Sequence, residues 1–192
     1  MLLLKDRIIA EGRVMPGNIL NVSSFLNQQA DVGLYNEIGK EFLRIFSDAH
    51  VTRILTIEAS GIGIACITAQ YFNAPVVFAR KFRAKNVDDN LYSTHITSYT
   101  HGIDYTITVS REYLHADDSV LLIDDFLANG CALEGLVALV KIAHAKLVGA
   151  GAVIEKGFQQ GGQRIRSMGI RLESLAIIEG MSPEEGISFR EE

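Results

Sequence analysis

Two adjacent carboxylates, Asp124 and Asp125, follow the apolar run Val120-Leu121-Leu122-Ile123 and precede Phe126-Leu127-Ala128-Asn129-Gly130-Cys131-Ala132. Paired acids at the mouth of a buried strand are costly unless something satisfies them, because like charges repel and desolvation disfavours ionisation. A ligand offering two hydroxyl donors does so. The short turn that follows is rich in small residues and opens a helix, so its backbone N–H groups would face a phosphate held close by. Vicinal hydroxyls and a phosphate on one molecule describe a ribose 5-phosphate. Other folds also place Asp-Asp after an apolar strand, among them phosphate-accepting receivers and Walker-B strands. The Walker-B partner motif Gly-x-x-x-x-Gly-Lys-Ser/Thr is absent from the chain, and a receiver would be shorter and would not need the hairpin described below.

A second anion site is offered by Glu58-Ala59-Ser60-Gly61-Ile62-Gly63. Gly61 and Gly63 let the backbone approach an anion, with a helix N-terminus behind them, and the same residues also suit a turn that only packs a helix on a strand. As a dinucleotide fingerprint the segment is incomplete. Cys66 stands at the third glycine position, and the next strand leads to Arg80-Lys81 where a ribose-binding acid belongs. Arg80, Lys81, Arg83 and Lys85 crowd four positive charges into six residues, which suits a small anionic ligand. The five histidines show no His-x-x-x-His spacing, there is no Cys-x-x-Cys, and no Gly-x-Ser-x-Gly elbow occurs.

These groups need a scaffold, and the periodicity supplies one. Residues 1–11 read as a short helix and 12–29 as an irregular lid containing Pro16, Gly17, Asn18 and Asn27. Tyr35, Ile38, Phe42, Ile45 and Phe46 follow helical spacing over 31–47. Residues 53–57, 61–72 and 75–79 read as strand, helix and strand, a βαβ unit. Ile103, Tyr105, Ile107 and Val109 alternate with polar neighbours after a weaker strand over 91–99, predicting a β-hairpin arm. A strand over 120–123 ends at the two acids and leads into a helix through Leu133, Leu136, Val137 and Val140. Strands near 147–154 and 172–178 flank a helix near 163–167, and the acidic tail 184–192 reads as a solvated end. Continuous apolar strands alternating with helices predict an α/β fold with a mostly parallel sheet covered on both faces.

Composition narrows the function classes. The 192 residues, 48% hydrophobic and 21% charged, predict one globular domain. No apolar run nears the roughly 18 residues of a membrane span, and Met1 to Arg7 does not resemble a secretion signal, so a cytoplasmic protein is expected. Cys66 and Cys131 are too few for a disulfide framework or a four-ligand zinc site. A net charge of −5 provides no field for a polyanion, which argues against nucleic acid as a partner.

Four apolar residues, two acids, two apolar residues and a small-residue loop resemble the phosphoribosyl diphosphate (PRPP) signature of type I phosphoribosyltransferases. The segments Asn21-Val22-Ser23-Ser24-Phe25-Leu26-Asn27, Val76-Val77-Phe78-Ala79-Arg80-Lys81, Asp124 to Gly130 and Ile154-Glu155-Lys156 are similar to the xanthine-using bacterial branch of that family. The matches run over nearly the whole chain in the expected order.

The resemblance implies the type I phosphoribosyltransferase fold, with a small N-terminal hood over about residues 1–30 and a flexible arm over about 81–102. It implies a homodimer of purine salvage that takes xanthine and PRPP, with Mg²⁺ held mainly through PRPP and not by protein ligands. Asp124 and Asp125 would hold the ribose hydroxyls. Ala128, Asn129, Gly130, Cys131 and Ala132 would cradle the 5-phosphate through backbone N–H groups. Ser60 and Gly61 would bind the diphosphate, over which Lys81 and Lys85 would close. Leu20 and Asn27 would cover the purine, Lys156 would reach an oxo group and Phe158 would stack on the ring. A lysine only donates, which favours an oxopurine over adenine. By themselves Lys156, Asn27 and Phe158 read as a strand end, a turn residue and a core residue. The sequence departs from the family at two places. Ala128 stands where hypoxanthine and guanine enzymes carry an acid that serves as a general base, and Cys131 stands where Gln is more usual. The nearest alternatives are a guanine or hypoxanthine enzyme and a non-catalytic sensor of PRPP or purines.

Overall fold

The computed structural model describes residues 1–82, 89–98 and 103–191. Helix α1 (Leu2–Glu11) buries Leu4 and Ile8, four residues apart on one face. The lid expected to be irregular is ordered instead. Strands β1 (Arg13–Met15) and β2 (Ile19–Asn21) pair antiparallel, and a π-helical turn (Ser23–Asn27) follows. Three-residue strands are too short to show alternation, so the polar turn residues dominated the sequence pattern.

Helix α2 (Val32–Ile45) starts at Asp31, whose carboxylate accepts the Leu34 N–H at 3.1 Å and the Arg7 guanidinium at 2.7 Å. Strand β3 (Arg53–Ile57), helix α3 (Ser60–Phe72) and strand β4 (Val76–Phe82) form the expected βαβ unit. The hairpin β5 (Leu91–Ser98) and β6 (Ile103–Ser110) is also present. Its turn at 99–102, and Lys85 with the rest of 83–88, lie outside the described residues. Strand β7 (Ser119–Leu127), helix α4 (Cys131–Ile142), strand β8 (Lys146–Lys156), helix α5 (Gly161–Ser167) and strand β9 (Leu172–Ser182) complete the expected alternation.

Most of the tail is exposed, as expected, but it is also ordered: strand β10 (Gly186–Phe189), which the sequence did not predict, pairs antiparallel with β9. Gly186 at φ +77° supplies the left-handed turn residue, and Ile187 and Phe189 pack against the core. The eight strands lie in the order β10-β9-β8-β7-β3-β4-β6-β5. Pairing is parallel from β9 through β4 and antiparallel at both edges. One core, on the side of α1, α2 and α3, contains Phe25, Ile38, Phe42, Leu121 and Ile123. The other contains Ile107, Leu122, Leu136 and Val140. Alternate residues of β7 thus serve opposite cores, as the period of two requires.

Candidate active site

Asp124 and Asp125 are each 7% exposed. The structure corrects their position: β7 does not stop before them but continues to Leu127, with Asp124 opposite Ala152 and Leu127 opposite Glu155 on β8. Although successive strand residues start out on opposite faces, the two carboxylates lie close enough for a side-chain hydrogen bond between them. The Asp125 N–H donates to Asp124 Oδ1 at 3.0 Å. Burial, and then the Asp125 carboxylate, push Asp124 well above the usual carboxylate range, with Lys81 opposing. Asp125 lies on the side of Tyr35, whose phenol is raised by burial first and by Asp125 second.

The loop after β7 is shaped by one glycine and supported by another. Gly130, at φ +88°, caps α4, and the Asn129 side chain accepts the Cys131 N–H at 3.2 Å. The first-turn N–H groups of a helix have no acceptor within it and point outward. A cavity of about 80 Å³ is lined by Asp124, Ala128, Asn129, Gly130, Ala132 and Leu133, among others. Cys131 is buried, and its side chain belongs to a separate cavity between α4 and β5. From behind, Gly161 donates its N–H to Ala128 C=O at 3.1 Å.

Ser60 and Gly61 form the first turn of α3, not a separate turn before it. The preceding Glu58–Ala59 peptide is cis. A Cβ at Gly61 would come within 3.2 Å of Asp124 Oδ1 and would collide with Thr56 Oγ1, so this turn sits directly against the acid. Thr56 is fully buried and its hydroxyl has no hydrogen-bond partner among the described residues. The Lys81 backbone N–H donates to the Glu58 carboxylate at 2.6 Å, and its ammonium lies 5.6 Å from the Tyr105 ring centre. Asp124, Gly61 and Lys81 are thus gathered at the carboxyl ends of β7, β3 and β4, where open α/β sheets bind ligands.

The four residues assigned to the base come from the hood and the end of β8. Lys156 Nζ donates to the Asn18 carbonyl at 2.9 Å, joining the hood to β8, and burial lowers its pKa. Leu20 is buried at 6% exposure, Asn27 at the end of the π-helical turn is exposed, and Phe158 is 39% exposed, so it is not the core residue its type suggested.

Sequence reasoning missed three supports. Glu155, 2% exposed, accepts both Arg166 guanidinium nitrogens at 2.8 Å and the Ser174 hydroxyl. Burial would raise its carboxyl, but Arg166 and Ser174 together hold it below its ordinary value. Tyr35 read only as an apolar position of α2, although its hydroxyl donates to the Leu26 carbonyl. Gly161 and Gly162 read only as an interruption; a paired glycine before a helix was the signal available.

The sheet order, the acids ending in a phosphate-sized loop and the hood over them define the type I phosphoribosyltransferase fold. The phosphoribosyl transferase domain family matches residues 29–170, and the chain belongs to this family of enzymes. It is 59% identical to a xanthine phosphoribosyltransferase of Lachnoclostridium phytofermentans over 191 residues, covering 99% of this chain and 98% of that protein. A xanthine phosphoribosyltransferase of Ruminiclostridium cellulolyticum is 54% identical over the full length of both. Among solved structures, the adenine phosphoribosyltransferase of Giardia lamblia superposes with a TM-score of 0.75 at 22% identity, over 91% of this chain and 96% of that one. The Rhodothermus marinus adenine enzyme gives 0.73 at 21% identity, over 92% and 99%. At those identities the likeness is one of fold.

Proposed function

We propose that the protein transfers the 5-phosphoribosyl group of PRPP to a ring nitrogen of xanthine, forming xanthosine 5′-monophosphate and releasing diphosphate, in purine salvage. The observation that carries the transfer chemistry is the joint placement of Asp124 with Ala128, Asn129, Gly130 and Ala132 around one small cavity at the end of β7, with Asp125 the next residue of the strand. Near-full-length similarity to xanthine phosphoribosyltransferases supports the base.

In this reading the loop N–H groups and the α4 N-terminus hold the 5-phosphate while Asp125 and Asp124 accept from the ribose hydroxyls. As the ring nitrogen bonds to the anomeric carbon, the bond to diphosphate oxygen breaks. Negative charge then grows on the leaving group, facing the first-turn N–H groups at Ser60 and Gly61 and the Lys81 ammonium. Lys85 closes from the arm, excluding water that would otherwise hydrolyse PRPP. Lys156 donates to an oxo group, Phe158 stacks, and Leu20 and Asn27 cover the ring. With Ala128 in place of an acid, no general base stands at that position, and xanthine reacts as the anion it forms near neutral pH.

Mg²⁺ fits as an ion brought by PRPP. The buried Asp124 carboxyl, held toward its protonated form, is a group that an arriving cation would ionise. When bound, Mg²⁺ supplies charge neutralisation on the diphosphate. A cytoplasmic homodimer completes the reading, supported by the family resemblance alone.

The test is diphosphate release from PRPP and Mg²⁺ with xanthine, guanine, hypoxanthine, adenine and orotate in parallel, repeated across neutral pH. Preference for xanthine, with a rate that follows its anion, is the expected result. A flat pH profile would remove the anion argument, preference for guanine or hypoxanthine would reassign the base, and silence with every base despite saturable PRPP binding would make the protein a sensor.

A further inference from the structure

Tyr35 stands where the base side and the PRPP side of the site meet. It lies in the first turn of α2, is 3% exposed, and donates its hydroxyl to the carbonyl oxygen of Leu26. That oxygen belongs to the peptide joining Leu26 to Asn27 at the end of the π-helical turn. Backbone donors just beyond the turn go elsewhere: the Gln29 N–H to Ser23 at 2.9 Å and the Asp31 N–H to Phe25 at 3.1 Å. A buried carbonyl requires a partner, and Tyr35 provides it. The ring meanwhile rests on the first turn of α3, because a Cβ at Gly63 would lie 3.1 Å from Cε2. Burial and then Asp125 raise the phenol above its ordinary value, so the group stays a proton donor through the neutral range.

We propose that Tyr35 is a positioning residue for base recognition, pinning the Leu26–Asn27 peptide to the first turn of α3 and thereby setting how well the site tells one oxopurine from another. The inference rests on the phosphoribosyltransferase reading with Asn27 at the base. Xanthine and guanine differ at one ring position, which in that reading would face the hood. A hood turn held in one place discriminates between an acceptor and a donor at that position, and a loosened turn adapts to both. In this reading Tyr35 acts through the turn and not through a contact with substrate.

The experiment is Tyr35→Phe, which keeps the ring and removes the hydroxyl. Steady-state constants for xanthine and guanine, and for PRPP, are measured beside the wild type. The expected result is a rise of about five-fold in KM for the preferred purine and a narrowing of the xanthine-to-guanine ratio of kcat/KM by about three-fold or more, with kcat and KM for PRPP within about two-fold. Gly63→Ala supplies the second variant. Alanine is the better helix former, but its methyl presses on the tyrosine ring, so the same ratio should narrow without loss of folding. Unchanged purine constants and ratio in folded Tyr35→Phe would overturn the proposal. Equal losses in every constant, PRPP included, would reduce Tyr35 to a structural residue and overturn it as well. A wild type that rejects xanthine overturns the choice of base, and the Tyr35 comparison is then read on whichever purines it accepts.

Discussion

Asp124 exposes a conflict between stability and binding at a single residue. Its folded-state pKa is raised by burial and by Asp125, so the folded protein holds this proton at pH values where the unfolded chain has released it. Stability from this group is therefore complete in acid and falls as pH rises from the ordinary carboxylate range toward the raised value. Asp124→Asn removes the liability, and the amide oxygen can still accept the Asp125 N–H. We expect the ligand-free variant to be more stable near neutral pH by about 0.5–2 kcal/mol, because the amide has no charge to form in the buried site, with the gain vanishing in acid. Denaturant melts at several pH values check this, and a gain that persists unchanged in acid would contradict it. Asp125→Asn should instead weaken PRPP use by about ten-fold or more, about 1.4 kcal/mol, in a folded protein. PRPP kinetics left at wild-type values would remove Asp125 from the site. Both acids were legible in the sequence as a pair; their place inside β7 was not, because the strand was expected to end before them.

At the scale of elements, the phosphate loop depends on α5 lying directly behind it. A Cβ at Gly161 would lie 2.7 Å from the Gly130 nitrogen and would overlap the Ala128 carbonyl oxygen, and both are backbone atoms that cannot swing aside. Gly161→Ala must push the loop or α5, so KM for PRPP should rise by about ten-fold or more while far-UV circular dichroism stays that of the wild type. A wild-type KM for PRPP would show that the loop tolerates the shift. The hood is the element that the sequence concealed most. Its two three-residue strands fall below any periodicity, and the π-helical turn has no sequence signature of its own. Helices α2 and α4 were legible because each turns one apolar face to a core over three or more turns.

Across the whole molecule, the Glu155–Arg166 pair ties the end of β8 to α5 and so joins the base end of the site to the support of the phosphate loop. Arg166→Met leaves Glu155 buried without its charged partner. The expected loss near neutral pH is about 2–4 kcal/mol, below the full range for a wholly buried pair because the Arg166 side chain is 37% exposed. Glu155 has a depressed pKa, so this contribution is present above the ordinary glutamate value and is lost as pH falls through the folded one. Chemical denaturation of variant and wild type, at neutral pH and in acid, should therefore show a gap that closes in acid. A gap of the same size at both would rule out the ion pair as its source.

Chain order alone determined the alternation of strands and helices, the antiparallel hairpin and the acids leading into a small-residue loop. Each of these is a local pattern of apolar spacing or residue size, repeated over enough positions to be read without neighbours. Tertiary structure decided the rest. Tyr35 on the Leu26 carbonyl, Gly161 under Ala128, Lys156 on Asn18 and the return of the tail as β10 join residues between 9 and 138 positions apart in three of these cases, and at β10 they depend on an edge that only the folded sheet provides. Hydrogen bonds and close contacts of that kind are set by burial and distance, which a sequence does not carry until the chain has folded.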